Sequence, residues 1–374
     1  MKLIIAPDKF KNSLTGLQFC NAVEAGIKAV KPNIDILKLP LADGGDGTYD
    51  VINYYLQGEV VEVHVNDPFF RPVKASYVFD EVLKTAFIEM AEASGLKLLK
   101  DKEFDCKNAT TIGTGEMIVH AIEKGAETIV LGLGGSATND CGVGMATALG
   151  YHFLDKQNNQ VHPVGANLLN IETIDISQIH PKLDKVSFKI ACDVTNPLYG
   201  KNGAAYTYGT QKGANTDDIV MLDNGLQHIS KLLEKVFKVN PQLVKGAGAA
   251  GGMGIASKLF LGGNLFSGIE LIKDLIDFDT KIENANWLIT GEGKLDVQTQ
   301  SGKTIQGVLI SSQAKKIKVA VFCGIIDLDE NALRDSGIQY ADAVINYAQD
   351  LDDAKANAFL YVKNMAEKFA KKQL

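Results

Sequence analysis

ETIVLGLGGSATNDCGVGM, residues 127–145, runs from a short apolar segment into a loop of glycines, hydroxyls and an Asn-Asp pair, and then into small apolar residues. An apolar run of strand length, then such a loop, then a helical stretch is the strand-to-helix step of a parallel sheet. The step recurs. Strand-like runs fall at 2–7, 34–40, 127–134, 188–194, 286–290, 318–324 and 340–346, and helical stretches at 15–30, 109–124, 139–149, 215–237, 303–314 and 352–372. This alternation predicts an α/β fold with parallel sheets. Ser13 and Thr15 are both placed to cap the first helix.

Residues 59–90 break the rhythm with two alternating runs around an Asp-Pro turn, followed by TAFIEMA, which predicts an antiparallel hairpin inside the wound pattern. The expected organisation is therefore discontinuous. Residues 1–65 with 285–374 form one doubly wound domain, and 66–284 form a second, mixed-sheet α/β domain.

Composition narrows the function classes. A chain of 374 residues with 46% hydrophobic content can bury more than one core. A net charge of −7, with no clustered Lys or Arg, argues against nucleic acid or an anionic membrane as partner, since either needs a concentrated positive field. The opening MKLIIAPDKF is too short for a signal peptide and no apolar run has membrane length, so the expected location is the cytosol and the expected partners are small molecules. The five cysteines have no C-x-x-C pair and the six histidines no i, i+4 spacing, which points to neither zinc nor a disulfide framework. Cys141 and Cys192 lie inside motifs, but no histidine stands near either to activate a thiol.

In open α/β sheets ligands bind beyond the carboxyl ends of strands, so the polar loops that follow strands are the candidate sites. APDKFKNS offers Asp8, Lys9 and Lys11. LADGGDGT places Asp43 and Asp46 three residues apart on a glycine turn, hard oxygen donors suited to Mg²⁺. Residues 132–137 fit G-x-G-x-x-A after a strand, and YHFLD ends in Asp155 near the acidic position of a dinucleotide fingerprint. Yet backbone N–H groups at a helix start bind any phosphate, and Gly134, Gly135, Ser136, Thr138 and Asn139 would serve a nucleotide equally well. GAGAAGGMG, 246–254, offers Gly248, Gly251 and Gly252 but comes after a poor strand. TGEGKLDVQTQSGKT, 290–304, ends like a Walker loop, but Val297 stands where the leading glycine belongs. It still carries Glu292, Lys294, Asp296 and Lys303, the charges phosphoryl transfer requires. CDVTNPLYG adds Asp193 and Asn196.

IIAPDKFKNSLT, PLADGGDGT, IEMAEASGL, TTIGTGEMI, LGLGGSATNDCGVGM, ACDVTNPLYG, GAGAAGGMG and LITGEGKLDVQTQSGKT occur in that order over nearly the whole chain. Together they resemble the bacterial type I glycerate kinases. The resemblance implies ATP- and Mg²⁺-dependent phosphorylation of D-glycerate, most often at the 2-hydroxyl, in glycerate or glyoxylate catabolism. It also implies a flavodoxin-like domain, a restriction-endonuclease-like domain and an active site in the cleft between them. Lys294 replaces the arginine of the family's GEGR, losing a bidentate fork. DPFFRPV replaces DPLGRPV but keeps Arg71, one of two arginines, as a candidate for a carboxylate or phosphate. CGIIDLDENA departs from the family's turn, and no function is carried to it.

The expected roles rest on these parts. Lys9 or Arg71 clamps the glycerate carboxylate, with Asn196 and Ser136 also facing substrate. Asp193 or Asp296 orients the attacking hydroxyl, Asp43 or Asp46 holds Mg²⁺, Glu292 and the two glycine loops hold nucleotide, and Lys294 or Lys303 neutralises moving charge. Two other classes compete: an NAD(P)-dependent oxidoreductase of a small hydroxy acid, resting on 132–155, and a non-catalytic binder of small carboxylates.

Overall fold

The computed structural model describes residues 1–10, 13–42, 48–56, 58–296 and 304–374. It divides into two compact units, Met1–Tyr55 with Ser267–Leu374, and Leu56–Phe266. Strands are numbered along the chain.

The discontinuous unit is built on β1 (Lys2–Ile5), β2 (Asp35–Lys38), β11 (Trp287–Thr290), β13 (Lys318–Cys323) and β15 (Tyr340–Ala343). They pair in parallel in the spatial order β15-β13-β11-β1-β2. Counted along this unit alone the order is 2-1-3-4-5, the flavodoxin-like winding, with its switch point between β1 and β11. Alternation along β13 shows both faces covered. Ala320 and Phe322 join Leu3, Ile5 and Trp287 under the helices Gly16–Val30 and Ala358–Gln373, while Val319, Val321 and Cys323 pack with Ile305 and Leu309 of the helix Thr304–Ala314. A short parallel pair, β12 (Lys294–Leu295) with β14 (Ile325–Ile326), extends the loops beyond the sheet.

Thr15, rather than Ser13, caps the first helix: its hydroxyl accepts from the Gln18 N–H and the Gln18 side chain accepts in return from the Thr15 N–H. The expected 352–372 helix is broken at Asn357 into Leu351–Ala356 and Ala358–Gln373.

The continuous unit holds a six-stranded mixed sheet in the order β10-β9-β6-β5-β4-β3, from β3 (Glu59–Asn66), β4 (Pro72–Asp80), β5 (Thr85–Glu89), β6 (Thr128–Gly132), β9 (Ser187–Ala191) and β10 (Asn264–Phe266). β3, β4 and β5 are antiparallel, as the 59–90 pattern requires, and β5, β6, β9 and β10 are parallel. Asp67 makes the hairpin turn, its Oδ1 accepting from the N–H groups of Phe69 and Arg71. A separate antiparallel pair, β7 (His152–Leu154) and β8 (Thr173–Asp175), stands outside this sheet. The expected 139–149 helix shrinks to Val143–Ala148, because Cys141 and Gly142 take positive φ of 53° and 65°. Among the described residues no helix is long and apolar enough to cross a membrane.

The terminal helix lies against the first helix at Gly26, where a Cβ would stand 2.2 Å from the Lys363 carbonyl oxygen and 2.8 Å from the Ala366 Cβ. Only backbone movement would relieve that contact. Gly26→Ala is expected to lower the unfolding free energy by about 1–3 kcal/mol, read as a shift of the urea midpoint; an unchanged midpoint would show that the helices separate at no cost.

Candidate active site

At the switch point of the discontinuous unit, the carboxyl ends of β1 and β11 are tied together. Ala6 N–H donates to the Ile289 carbonyl, Asp8 N–H to that of Gly291, and Thr290 Oγ1 donates back to the Ala6 carbonyl at 2.7 Å. Asp8, 8% exposed, accepts from the Lys9 N–H at 2.7 Å and from Thr304 Oγ1 at 2.7 Å, so the start of the Thr304–Ala314 helix is pinned to the end of β1. Beside them the 292–295 segment runs parallel to 324–327. Here Lys294 Nζ lies 3.1 Å from Asp327 Oδ2 and 3.2 Å from Asp296 Oδ2, and these two carboxylates hold its ammonium above the ordinary lysine range. Lys9, Glu292, Lys294 and Asp296 thus share one end of one sheet.

In the continuous unit the loop after β6 leaves an exposed tip at Gly134 and Gly135 and then turns inward. Leu96 N–H donates to the Gly135 carbonyl and Ala137 N–H to that of Ser94, which fixes the descent. Asp140, fully buried, organises the turn from this loop into the Val143–Ala148 helix. One oxygen accepts from the Thr111 N–H at 2.9 Å, the Thr111 hydroxyl at 2.7 Å and the Gly144 N–H at 3.2 Å, and the other from the Gly142 N–H at 3.1 Å. Burial pushes the Asp140 carboxyl up, and these four donors oppose the shift by favouring the anion.

The second glycine loop packs directly on the first. Cys141 N–H donates to the Gly251 carbonyl, and a Cβ on Gly251 would sit 2.2 Å from the Thr138 carbonyl oxygen. Ala250, Gly251 and Gly252 all have positive φ, kinking the Ala249–Phe260 helix at its start. Two loops read separately as phosphate cradles are one backbone-to-backbone construction. Gly248 N–H donates to the Asn196 carbonyl, joining the loop after β9 to it.

Lys212 gave no sequence signal, being a single lysine in a turn. It is 4% exposed, and its Nζ donates to Ser136 Oγ at 2.7 Å and to the Thr138 carbonyl at 2.9 Å. Burial pulls the ammonium down to about 8, partly offset by the nearby Cys106 and Asp140. Thr138 Oγ1 and Asn139 Nδ2 are buried with no hydrogen-bond partner among the described residues. Each such orphan costs about 1–3 kcal/mol.

The remaining candidates separate. Asp193 is exposed just past β9. The Asn196 amide is engaged locally, Nδ2 donating to the Asn202 carbonyl and Oδ1 accepting from the Tyr208 hydroxyl. Arg71 is half-exposed and forms ion pairs with Asp67 at 2.6 Å and Glu103 at 2.9 Å. Lys11, Asp43, Asp46 and Lys303 lie outside the described residues. Among the described residues no three carboxylate, histidine or cysteine side chains gather as a metal site. Burial holds the thiols of Cys141 and Cys192 above the ordinary range, so neither is an activated nucleophile.

The dinucleotide reading of 132–155 loses its geometry. β7 pairs with β8 rather than with β6, whose neighbours are β5 and β9, and Asp155 accepts from the N–H groups of Gln157 and Asn159 in its own turn.

The family model described as the glycerate kinase family matches residues 3–373. A glycerate kinase of Bacillus cereus is 40% identical over 370 residues, spanning 98% of this chain and 97% of that protein. A glycerate 2-kinase of Escherichia coli is 40% identical over 359 residues, 96% of this chain and 94% of that one. A crystal structure from Salmonella typhimurium LT2, named as a candidate glycerate kinase 2, aligns with TM-score 0.86 and 39% identity, covering 99% of this chain and 97% of that chain.

The Asp140 carboxylate carries the loop that presents Ser136, Thr138 and Asn139. Asp140→Asn replaces one acceptor oxygen by an N–H₂ group that faces donors, and should cost about 2–3 kcal/mol. Thermal and urea unfolding check this, and unchanged stability would remove Asp140 from its organising role.

Proposed function

Because the chain belongs to the glycerate kinase family, which makes it an ATP-using enzyme that phosphorylates glycerate, we propose that it transfers the phosphoryl group to the 2-hydroxyl of D-glycerate, in glycerate or glyoxylate catabolism. The observation that carries the position of transfer is the 40% identity to a glycerate 2-kinase along almost the full length of both chains.

Transfer forms a bond from the glycerate oxygen to the γ-phosphorus and breaks the bond to the leaving ADP oxygen. Its loose transition state asks the protein for positioning and charge neutralisation rather than covalent chemistry. Asp193 or Asp296 orients the hydroxyl and takes its proton. The engagement of Lys294 by Asp296 and Asp327 supports a role for that turn in handling charge as it moves to the leaving group, alongside Lys303. Lys9 or Arg71 clamps the carboxylate, though Arg71 would first have to exchange Asp67 or Glu103 for it. Residues 131–144 and 246–254, with Glu292, hold the nucleotide phosphates; the inward-turned donors of Ser136, Thr138 and Asn139 support this reading.

Magnesium in phosphoryl transfer is held by one or two carboxylates together with substrate phosphates, so the absence of a three-carboxylate cluster among the described residues does not conflict with it. Asp43 or Asp46 would hold it, and it would supply neutralisation of phosphate charge.

A coupled ADP-release assay with D-glycerate and MgATP should show turnover that chelation by EDTA abolishes. Phosphorus NMR of the product should show 2-phosphoglycerate, and the 3-isomer would overturn the assignment. Asp193→Asn or Asp296→Asn should lower kcat by about 10²–10⁴-fold with KM little changed. Full turnover in both would exclude these aspartates as the group that orients the hydroxyl.

A further inference from the structure

Lys212 is a costly residue to bury, and among the described residues no salt bridge offsets that cost. Among the described residues no carboxylate lies within ion-pair distance of its Nζ, which finds only a hydroxyl and a carbonyl, and these leave the third N–H of the ammonium without an acceptor. The groups around it are biased in the same direction. Because Lys212 donates to Ser136 Oγ, the Ser136 hydroxyl hydrogen is released to point elsewhere. Thr138 Oγ1 and Asn139 Nδ2, fully or almost fully buried, add a hydroxyl and an amide that nothing among the described residues engages. Four donors therefore gather within residues 136–139 and Lys212, on a loop whose backbone is fixed by Asp140 from one side and by Gly251 from the other. A surplus of donors around an unneutralised cation suits an anion with several oxygens, and suits neither a metal ion nor an apolar group.

We propose that Lys212, with Ser136, Thr138 and Asn139, forms a buried oxyanion site that takes either the carboxylate of glycerate or a phosphoryl group of the nucleotide. The proposal rests on the glycerate kinase reading and adds a binding residue to it. An oxyanion seated here accepts from the Lys212 ammonium, the two hydroxyls and the Asn139 amide, replacing the water lost to it on entry. It also changes the protonation of Lys212. The lysine sits near the middle of its titration at about pH 8, with Asp140 and Cys106 as the charged or titratable groups facing it, so a bound anion draws a proton from solution.

Calorimetry on the full-length protein at pH 8, in buffers of different ionisation enthalpy, reads that proton directly. D-glycerate alone and ADP alone are the two ligands. Uptake of a substantial fraction of one proton with glycerate assigns the site to the substrate carboxylate, and uptake with ADP assigns it to phosphate; no uptake with either, together with unchanged affinity of Lys212→Met for both ligands, overturns the proposal. The variants separate binding from scaffolding. Lys212→Met should weaken the ligand that shows uptake by at least about tenfold and abolish the uptake, and Lys212→Arg, which keeps the charge, should recover part of the affinity while the pH dependence above 8 disappears. A Lys212→Met protein that binds both ligands normally and has only a lower melting temperature would show that the lysine serves the loop alone. Failure of the glycerate kinase reading appears elsewhere, as absence of ADP release by the unmodified enzyme.

Discussion

The discontinuous unit depends on one pairing, that of β1 with β11, which sets Leu3 beside Trp287 and Ile5 beside Ile289. Without it the first strand has only the edge strand β2 for company, and the last hundred residues lose the centre of their sheet. The pairing also decides where chemistry can occur. Since β1 is wound in one direction through β2 and in the other through β11, their carboxyl ends diverge, and polar side chains can occupy the opening without breaking a ladder. Asp8 sits there with one oxygen on the Thr304 hydroxyl and the other on its neighbour's N–H. A long-range strand pairing and a local side-chain bond thus fix the same point, one holding the sheet and the other the helix that leaves it.

The continuous unit solves a similar problem by a different device. Its loop after β6 does not lead straight into a helix N-terminus; it descends, is caught by Asp140, and meets the kinked start of Ala249–Phe260. Glycine is required at 251 and 252 because a second backbone occupies the volume of any side chain there, and because their φ values are 71° and 97°. The glycines therefore make room for a second stretch of the protein's own backbone. What the construction presents is a set of side-chain donors, with Lys212 behind them.

Much of this architecture was legible from periodicity. Strands such as 286–290 and 318–324 are buried on both faces and read as continuous apolar runs, and the 59–80 hairpin alternates because one face of its edge is exposed. Capping was legible only to the choice between Ser13 and Thr15, because both side chains have the chemistry of a cap and the fold alone selects Thr15. The helix expected over 139–149 failed because helical composition cannot reveal the positive φ at Cys141 and Gly142, a turn held by the Cys141 N–H on the Gly251 carbonyl and the Gly142 N–H on Asp140. β10 was missed because Asn264–Phe266 is short and gains strand character from pairing with β9. Of the candidate site, the loops could be read because strand ends announce them. Lys212 could not, since a lysine in TQKG is solvated by default and only the tertiary fold brings it to Ser136.

The choice of cation has consequences for the chemistry. Phosphoryl transfer needs positive charge, and this chain has two arginines, of which Arg71 is held by two carboxylates and Arg334 lies exposed on the helix Glu330–Asp335. The positive charge at the strand-end loops is therefore carried by lysine. A guanidinium would stay charged whatever its burial, but an ammonium responds to its surroundings. Lys294, exposed between Asp296 and Asp327, is held firmly protonated, whereas Lys212, enclosed and with no carboxylate against it among the described residues, is pulled down to about 8 by burial. The same residue type thus serves as a fixed charge in one unit and as a charge completed by its ligand in the other. Burial and the distance to the nearest carboxylate, rather than the identity of the side chain, make the difference.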